Sequence, residues 1–210
     1  MENQRKNIRL SLQQLISPNA KKKENVMTEF NVHTQETAPA DSKPILESVQ
    51  KAYGFLPNLM ATFAESPVAL EAYAALSGIF DKSNLTPTER QIVLMTNNRL
   101  NGCTYCMAAH TTISQMQGVP ADVIAALRNG TPIADPKLQA LLTFATQVNE
   151  QRGHLGQTDL DAFFAAGYTK ENVLEVIVGT GLKVLSNYTN HIAETPIDDA
   201  FKENVWTAKN

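Results

Sequence analysis

The sequence predicts an all-α protein. Proline and glycine recur at the spacing of helix boundaries, and the stretches between them carry little of the apolar–polar alternation that marks strands. Pro44, Pro57, Pro67, Pro87, Pro120 and Pro136 fall near helix starts, where a missing N–H costs little. Gly54, Gly118, Gly130, Gly153 and Gly167 fall where a left-handed C-cap is expected.

Taken in order, Pro44 and Gly54 bracket a helix over about 44–53, and Pro57 opens another over 57–64. Pro67 opens a longer one over 67–82. Thr86-Pro87-Thr88-Glu89 fits a capping box with proline in the first turn, so the next helix runs over 87–99. Asn101-Gly102 reads as the start of a helix over 103–117 that stops before Gly118. Pro120 and Gly130 bound 120–129, Pro136 and Gly153 bound 136–152, Gly167 closes 157–166, and 170–193 is the last and longest. A spacing of about 49 residues brings Pro87 onto Pro136 and Gly118 onto Gly167, the trace of a possible internal repeat. In that alignment Arg152 stands opposite Cys103, and Asp159 opposite His110.

Residues 1–41 read as a polar extension and 42–210 as the ordered domain. The first 26 residues hold six basic and two acidic residues, and Ile8–Ile16 is too interrupted by polar residues to be a secretory h-region. An organelle presequence fits, as does sequence upstream of a start at Met27 or a disordered tail; the latter pair is favoured, and a cytoplasmic protein is expected. The net charge of −3 gives no reason to expect nucleic acid or an anionic membrane as partner, and no apolar run approaches the ~20 residues of a membrane span.

The chemistry sits in Cys103-Thr-Tyr-Cys106-Met-Ala-Ala-His110. On a helix these two cysteines and the histidine fall within roughly 60° of one face. A thiolate is the nucleophile, and an ordinary thiol has a pKa of about 8.5, so a reactive cysteine needs help. The first turn of a helix favours an anion, and His110 one turn on can take the proton of Cys106 or stabilise its thiolate. Helix-dipole logic favours Cys103 as attacking sulfur and proximity to His110 favours Cys106; spacing does not decide between them. Two other readings exist. The cysteines could be small core residues. A zinc site would need a fourth ligand from His33, His154 or His191, and the second CxxC or HxxxH pair of structural zinc modules is missing. Tyr105 projects away from the Cys/His face and reads as packing. His191 reads as a structural histidine, and His154 as a loop residue. Trp206 reads as a docking residue of the tail.

Four stretches together resemble the carboxymuconolactone decarboxylase superfamily in its alkylhydroperoxidase-D-like, peroxidase-related branch. They are Gly54-Phe-Leu-Pro-Asn-Leu59 with Glu65-Ser-Pro67 and Leu70-Glu-Ala-Tyr73, then Leu85-Thr-Pro-Thr-Glu-Arg-Gln-Ile-Val93, then Asn101-Gly-Cys-Thr-Tyr-Cys-Met-Ala-Ala-His110, and Asn187-Tyr-Thr-Asn-His-Ile-Ala-Glu-Thr-Pro-Ile-Asp198. The resemblance implies an all-helical fold, a homo-oligomer (dimer, trimer or hexamer), and a redox enzyme acting on a peroxide or disulfide substrate. Its reductant would be a thiol, a dithiol or an adaptor protein, with no metal or organic cofactor. It implies Cys106 as the attacking thiolate, Cys103 as the resolving thiol and His110 in a proton relay.

The family relay has a glutamate twelve residues before the first cysteine; here that position is Gln91. Glu89 is near, but two residues earlier on a helix points about 200° away. An amide can orient His110 and cannot act as a base. Glu89 and Gln91 are both candidate relay members, and the substitution moves general thiol–disulfide exchange or redox sensing up as the alternative. Lactone decarboxylation is disfavoured, because the decarboxylase branch does not generally use a CxxC pair.

Overall fold

A computed structural model describes residues 29–208; the basic stretch 1–26 lies outside the described residues. Among the described residues there are nine α-helices and no strand. They are α1 (Lys43–Tyr53), α2 (Asn58–Phe63), α3 (Pro67–Phe80), α4 (Pro87–Leu100), α5 (Thr104–Met116), α6 (Ala121–Asn129), α7 (Pro136–Glu150), α8 (Gln157–Ala165) and α9 (Lys170–Ala193). Each lies within two residues of its expected bounds. Two 3-10 turns, Ala40–Ser42 and Asp199–Asn204, have no counterpart in the sequence reading.

The boundaries follow from local chemistry. Thr86 and Glu89 form the expected capping box, the Thr86 N–H donating to Glu89 Oε2 at 2.8 Å and the Glu89 N–H to Thr86 Oγ1 at 3.2 Å. Asp135 Oδ1 accepts the N–H groups of Lys137 and Leu138, both at 2.9 Å, at the start of α7. Asn101-Gly102 plays a different part from the one expected. It ends α4 rather than starting α5: the Gly102 N–H donates to Arg99 O and the Cys103 N–H to Asn98 O, with Gly102 at φ +68. That is the Schellman arrangement, and Cys103 follows it directly as the N-cap of α5. The two helices that carry the site are therefore fixed to each other by a single tight turn.

The core has two parts. The larger packs α4 against α7 and α9 and includes Ile92, Met95, Met107, Leu141, Phe144 and Val176. The smaller gathers the N-terminal helices around the cysteines: Leu46, Leu59, Met60, Phe63 and Leu70, closed by Phe201 from the second 3-10 turn. Tyr73 packs against both. Contacts begin before Ser42: the His33 N–H donates to Ala61 O, His33 Nε2 meets Glu65 Oε2 at 2.9 Å, and Ala38 is buried in the smaller core. Trp206 docks on its own chain, donating from Nε1 to Arg128 O at 2.9 Å. No helix among the described residues is long and apolar enough to cross a membrane.

Candidate active site

Cys103 and Cys106 are free thiols, both buried at the start of α5. As N-cap, Cys103 Sγ accepts the N–H of Cys106 at 3.4 Å, which puts Cys106 in the first turn, where unsatisfied N–H groups favour an anion. The sulfur of Cys106 also accepts Asn190 Nδ2 from α9 at 3.1 Å; the same nitrogen lies 3.7 Å from Cys103 Sγ. Asn98 Nδ2 holds the Cys106 carbonyl at 3.2 Å and is braced by Asn187, whose Nδ2 donates to Asn98 Oδ1 at 3.0 Å.

His110 stands between two polar partners. Its Nε2 is 3.1 Å from Lys183 Nζ, and its Nδ1 is 2.9 Å from Gln91 Oε1. An ammonium only donates, so Nε2 accepts and Nδ1 carries the proton, donating it to Gln91. Gln91 Nε2 in turn donates to Gln117 Oε1 at 3.1 Å. Burial first and the Lys183 charge second push His110 well below its ordinary value, so it is a neutral imidazole.

Lys183 was not anticipated from the sequence. It is 1% exposed, and no carboxylate lies within ion-pair distance of it among the described residues. Its ammonium meets His110 Nε2, and its charge bears on both Cys106 and Cys103. Burial pushes the Cys106 thiol up, but the hydrogen bond from Cys103, the Lys183 charge and the bonds from Ser186 and Asn187 outweigh it and hold Cys106 well below the usual thiol range. Cys103 moves the other way: its bond to Cys106 and then its burial keep it protonated. The hydrogen bond between the two sulfurs thus separates thiols that the CxxC spacing leaves alike, and the Lys183 charge favours the thiolate on either. The sequence did hold a trace of this lysine, a lone charge in the apolar run Val176–Leu185.

Of the five expected site residues, Cys103, Cys106, His110 and Gln91 come together and Glu89 does not. Its carboxylate is committed at the start of α4, to the Thr86 N–H, the Tyr168 hydroxyl at 2.9 Å and Lys137 at 3.4 Å. Tyr105 packs away from the sulfurs, as expected, donating to Asp198 Oδ2 at 2.6 Å and accepting the Leu59 N–H at 3.1 Å. His191 is exposed and lines a cavity of about 330 Å³ together with Cys103, Thr104, Tyr105, Asn190, Glu194 and Thr195.

These observations define a class: an all-helical protein with an asymmetric dithiol under a buried lysine. The family model described as the carboxymuconolactone decarboxylase family matches residues 64–147, which include both cysteines, His110 and Gln91. Over those residues the chain is similar to that family, and the solved structures that follow share its all-helical fold. Its fold is similar to that of an uncharacterized peroxidase-related protein from Ralstonia eutropha, solved as an alkylhydroperoxidase AhpD core, at a TM-score of 0.75 and 24% identity over 83% of this chain and 94% of that one. A peroxidase-related protein from Silicibacter sp. has a TM-score of 0.70 at 20% identity, over 87% and 97%. The debrominase Bmp8, solved with 2,3,4-tribromopyrrole, has a TM-score of 0.69 at 19% identity, over 87% and 96%. Among curated proteins the chain has no match.

Proposed function

We propose that this protein is a dithiol peroxidase that reduces hydroperoxides through a Cys103–Cys106 thiol–disulfide cycle. The observation that carries the reading is the pair of buried free thiols at the start of α5, with Asn190 Nδ2 3.1 Å from Cys106 Sγ and 3.7 Å from Cys103 Sγ, and the buried Lys183 held 3.1 Å from His110 on the same helix. Cys106 Sγ attacks the terminal peroxide oxygen. The O–O bond breaks, Cys106 becomes a sulfenic acid, and the departing alkoxide takes a proton from Lys183 Nζ. The Cys103 sulfur then attacks the Cys106 sulfur, its proton leaves with the hydroxyl as water, and the disulfide forms.

Gln91 fits this scheme without acting as a base. It fixes the His110 tautomer that leaves Nε2 free to accept from Lys183. Titration of thiols with intact mass, before and after one equivalent of an organic hydroperoxide, tests the proposal. Rapid loss of both thiols and of the mass of two hydrogens is expected; thiols that persist would sink the peroxidase reading. General thiol–disulfide exchange would then take its place, favoured by the cavity that reaches Cys103.

Self-association is part of the same reading. Leu174, Ile177, Leu185, Tyr188 and Ile192 stand exposed along one helix, α9, an apolar stripe that a second copy of the chain would cover.

A further inference from the structure

The cavity beside the sulfurs belongs to Cys103, and Cys106 does not line it. Two of its lining side chains carry polar atoms that are buried and have no hydrogen-bond partner: Asn190 Oδ1, in a residue 6% exposed, and Thr195 Oγ1, in a residue 8% exposed. Buried polar atoms are nearly always paired, so two orphans at one cavity mark a place where something else supplies the partner. They are set there by the end of α9. Glu194, in the left-handed conformation at φ +48, stops the helix, and the Thr195 N–H returns to Asn190 O. His191 and Glu194 stand exposed at the same cavity.

We propose that this cavity is the docking site of the reducing thiol, that the thiol is a cysteinyl peptide whose amide groups meet Asn190 Oδ1 and Thr195 Oγ1, and that it attacks Cys103 rather than Cys106. The inference rests on the disulfide cycle proposed above. The incoming thiolate forms a bond to Cys103 Sγ, and the electron pair of the Cys103–Cys106 bond passes to Cys106 Sγ. Cys106 leaves as the thiolate that Asn190 Nδ2 and Lys183 receive, with the thiol's proton going to Lys183 Nζ. A second cysteinyl thiol attacks the peptide sulfur of the mixed disulfide and releases Cys103 as a thiol. Two thiols become one disulfide, and Lys183 ends as the ammonium. The direction follows from exchange chemistry, in which the more stable thiolate is the better leaving group, and from the cavity, which Cys103 lines and Cys106 does not, both sulfurs being otherwise buried.

The test uses the full chain, oxidised with hydroperoxide, or with diamide if hydroperoxide leaves the thiols free. The second route keeps this test independent of the peroxidase reading. The disulfide form is mixed with glutathione as the cysteinyl peptide, acid-quenched and mapped by peptide mass. The adduct is expected on Cys103; an adduct on Cys106 overturns the proposal. Thr195→Val, which keeps the shape and removes the hydroxyl, is expected to slow reduction by glutathione about three- to tenfold, the worth of one hydrogen bond. Reduction by 2-mercaptoethanol, which has no amide, should be unchanged in the same variant. Equal slowing with both thiols, or none with either, overturns the proposal.

Discussion

Helices α4 and α6 begin 49 residues before α7 and α9, with starts at Pro87 and Pro136 and at Ala121 and Lys170, while α5 and α8 start at Thr104 and Gln157, and only the first set carries thiols. Forty-nine residues separate Cys103 from Arg152, Cys106 from Leu155, His110 from Asp159 and Gln91 from Ala140. The interiors differ accordingly. α4 buries Gln91, Thr96, Asn97 and Asn98 among its apolar residues, whereas α7 buries Leu141, Leu142, Phe144, Ala145 and Val148. Behind α7, Phe163 stacks on Phe144 with ring centres 4.0 Å apart and on Tyr168 at 4.5 Å. Asp159, opposite His110, spends its carboxylate on the Gly156 N–H and Gln147 Nε2.

The second set still makes an indispensable contribution. At the aligned glycines the two part: Gly130 ends α6 at φ +69, but α9 runs on through Gly179 to Ala193. That extension carries Asn190 to the sulfurs of the first set, Lys183 to its His110 and Asn187 to its Asn98. Chemistry here comes from prolonging one helix past the point where its counterpart stops.

The largest expected effect breaks the first set. Cys106→Ser abolishes reaction with hydroperoxide, while Cys103→Ser still oxidises once and stops as a sulfenic acid, a mixed disulfide or a linked dimer. Mass spectrometry of the peroxide-treated variants separates the outcomes, and multi-turnover activity in Cys106→Ser would exclude the assignment.

Next comes the extension. Lys183→Met removes the cation but leaves the bond from Cys103 and those from Ser186 and Asn187, so Cys106 rises part of the way toward the ordinary thiol range of about 8.5. The thiolate fraction below neutral pH then falls, as read by ultraviolet thiolate absorbance and alkylation rate against pH. The sign for stability follows. Because the folded Cys106 value lies below the unfolded one, the thiolate–ammonium pair stabilises the fold fully above the unfolded value and is lost as pH falls through the folded one. Urea titrations should therefore show wild-type stability declining toward acid across that window and Lys183→Met declining less steeply there. An unchanged alkylation profile would remove Lys183 from the site.

The two glycines give a smaller, paired test. A Cβ at Gly179 would lie 2.7 Å from Val93 Cγ1 and 2.8 Å from the Phe80 ring, so Gly179→Ala should cost about 1–3 kcal/mol through overpacking. It should also loosen the placement of Lys183 one turn on and slow Cys106 alkylation. Gly130→Ala meets only the mobile guanidinium of Arg99, at 3.0 Å, and should cost about 1–2 kcal/mol through its left-handed backbone, with alkylation unchanged. Thermal unfolding of both variants beside their alkylation rates checks the pair.

What could be read beforehand divides along the same line. Helix bounds were legible because proline, glycine and capping residues act within a few positions of where they stand, as Thr86 with Glu89 shows. The thiols and His110 were legible because three and four residues make one helical face. Lys183 and Asn190 were not, since they reach the sulfurs across a helix–helix contact that depends on Gly179 being bare. The part played by Asn101-Gly102 was misread because the same pair serves a helix end and a helix start, and only the bond from the Cys103 N–H to Asn98 O tells them apart.

The smallest effect expected is at Gln91, and it decides whether the chain has lost a relay or replaced one. Gln91→Glu installs the carboxylate that the family pattern has at this position. The new oxygen can still accept the His110 Nδ1 proton, and the Gln117 amide must turn to donate where it now accepts. If Lys183 holds the thiolate, the carboxylate adds nothing that Cys106 needs, and the peroxide rate should change less than about threefold while the imidazole becomes easier to protonate beside a negative charge. If instead the site has been idle for want of a base, the variant should gain rate by the hundredfold or more expected of a general base. Stopped-flow oxidation of wild type and Gln91→Glu, each with and without Lys183→Met, separates the two cases: a gain that survives loss of the lysine would make the glutamine the defect and the lysine a bystander.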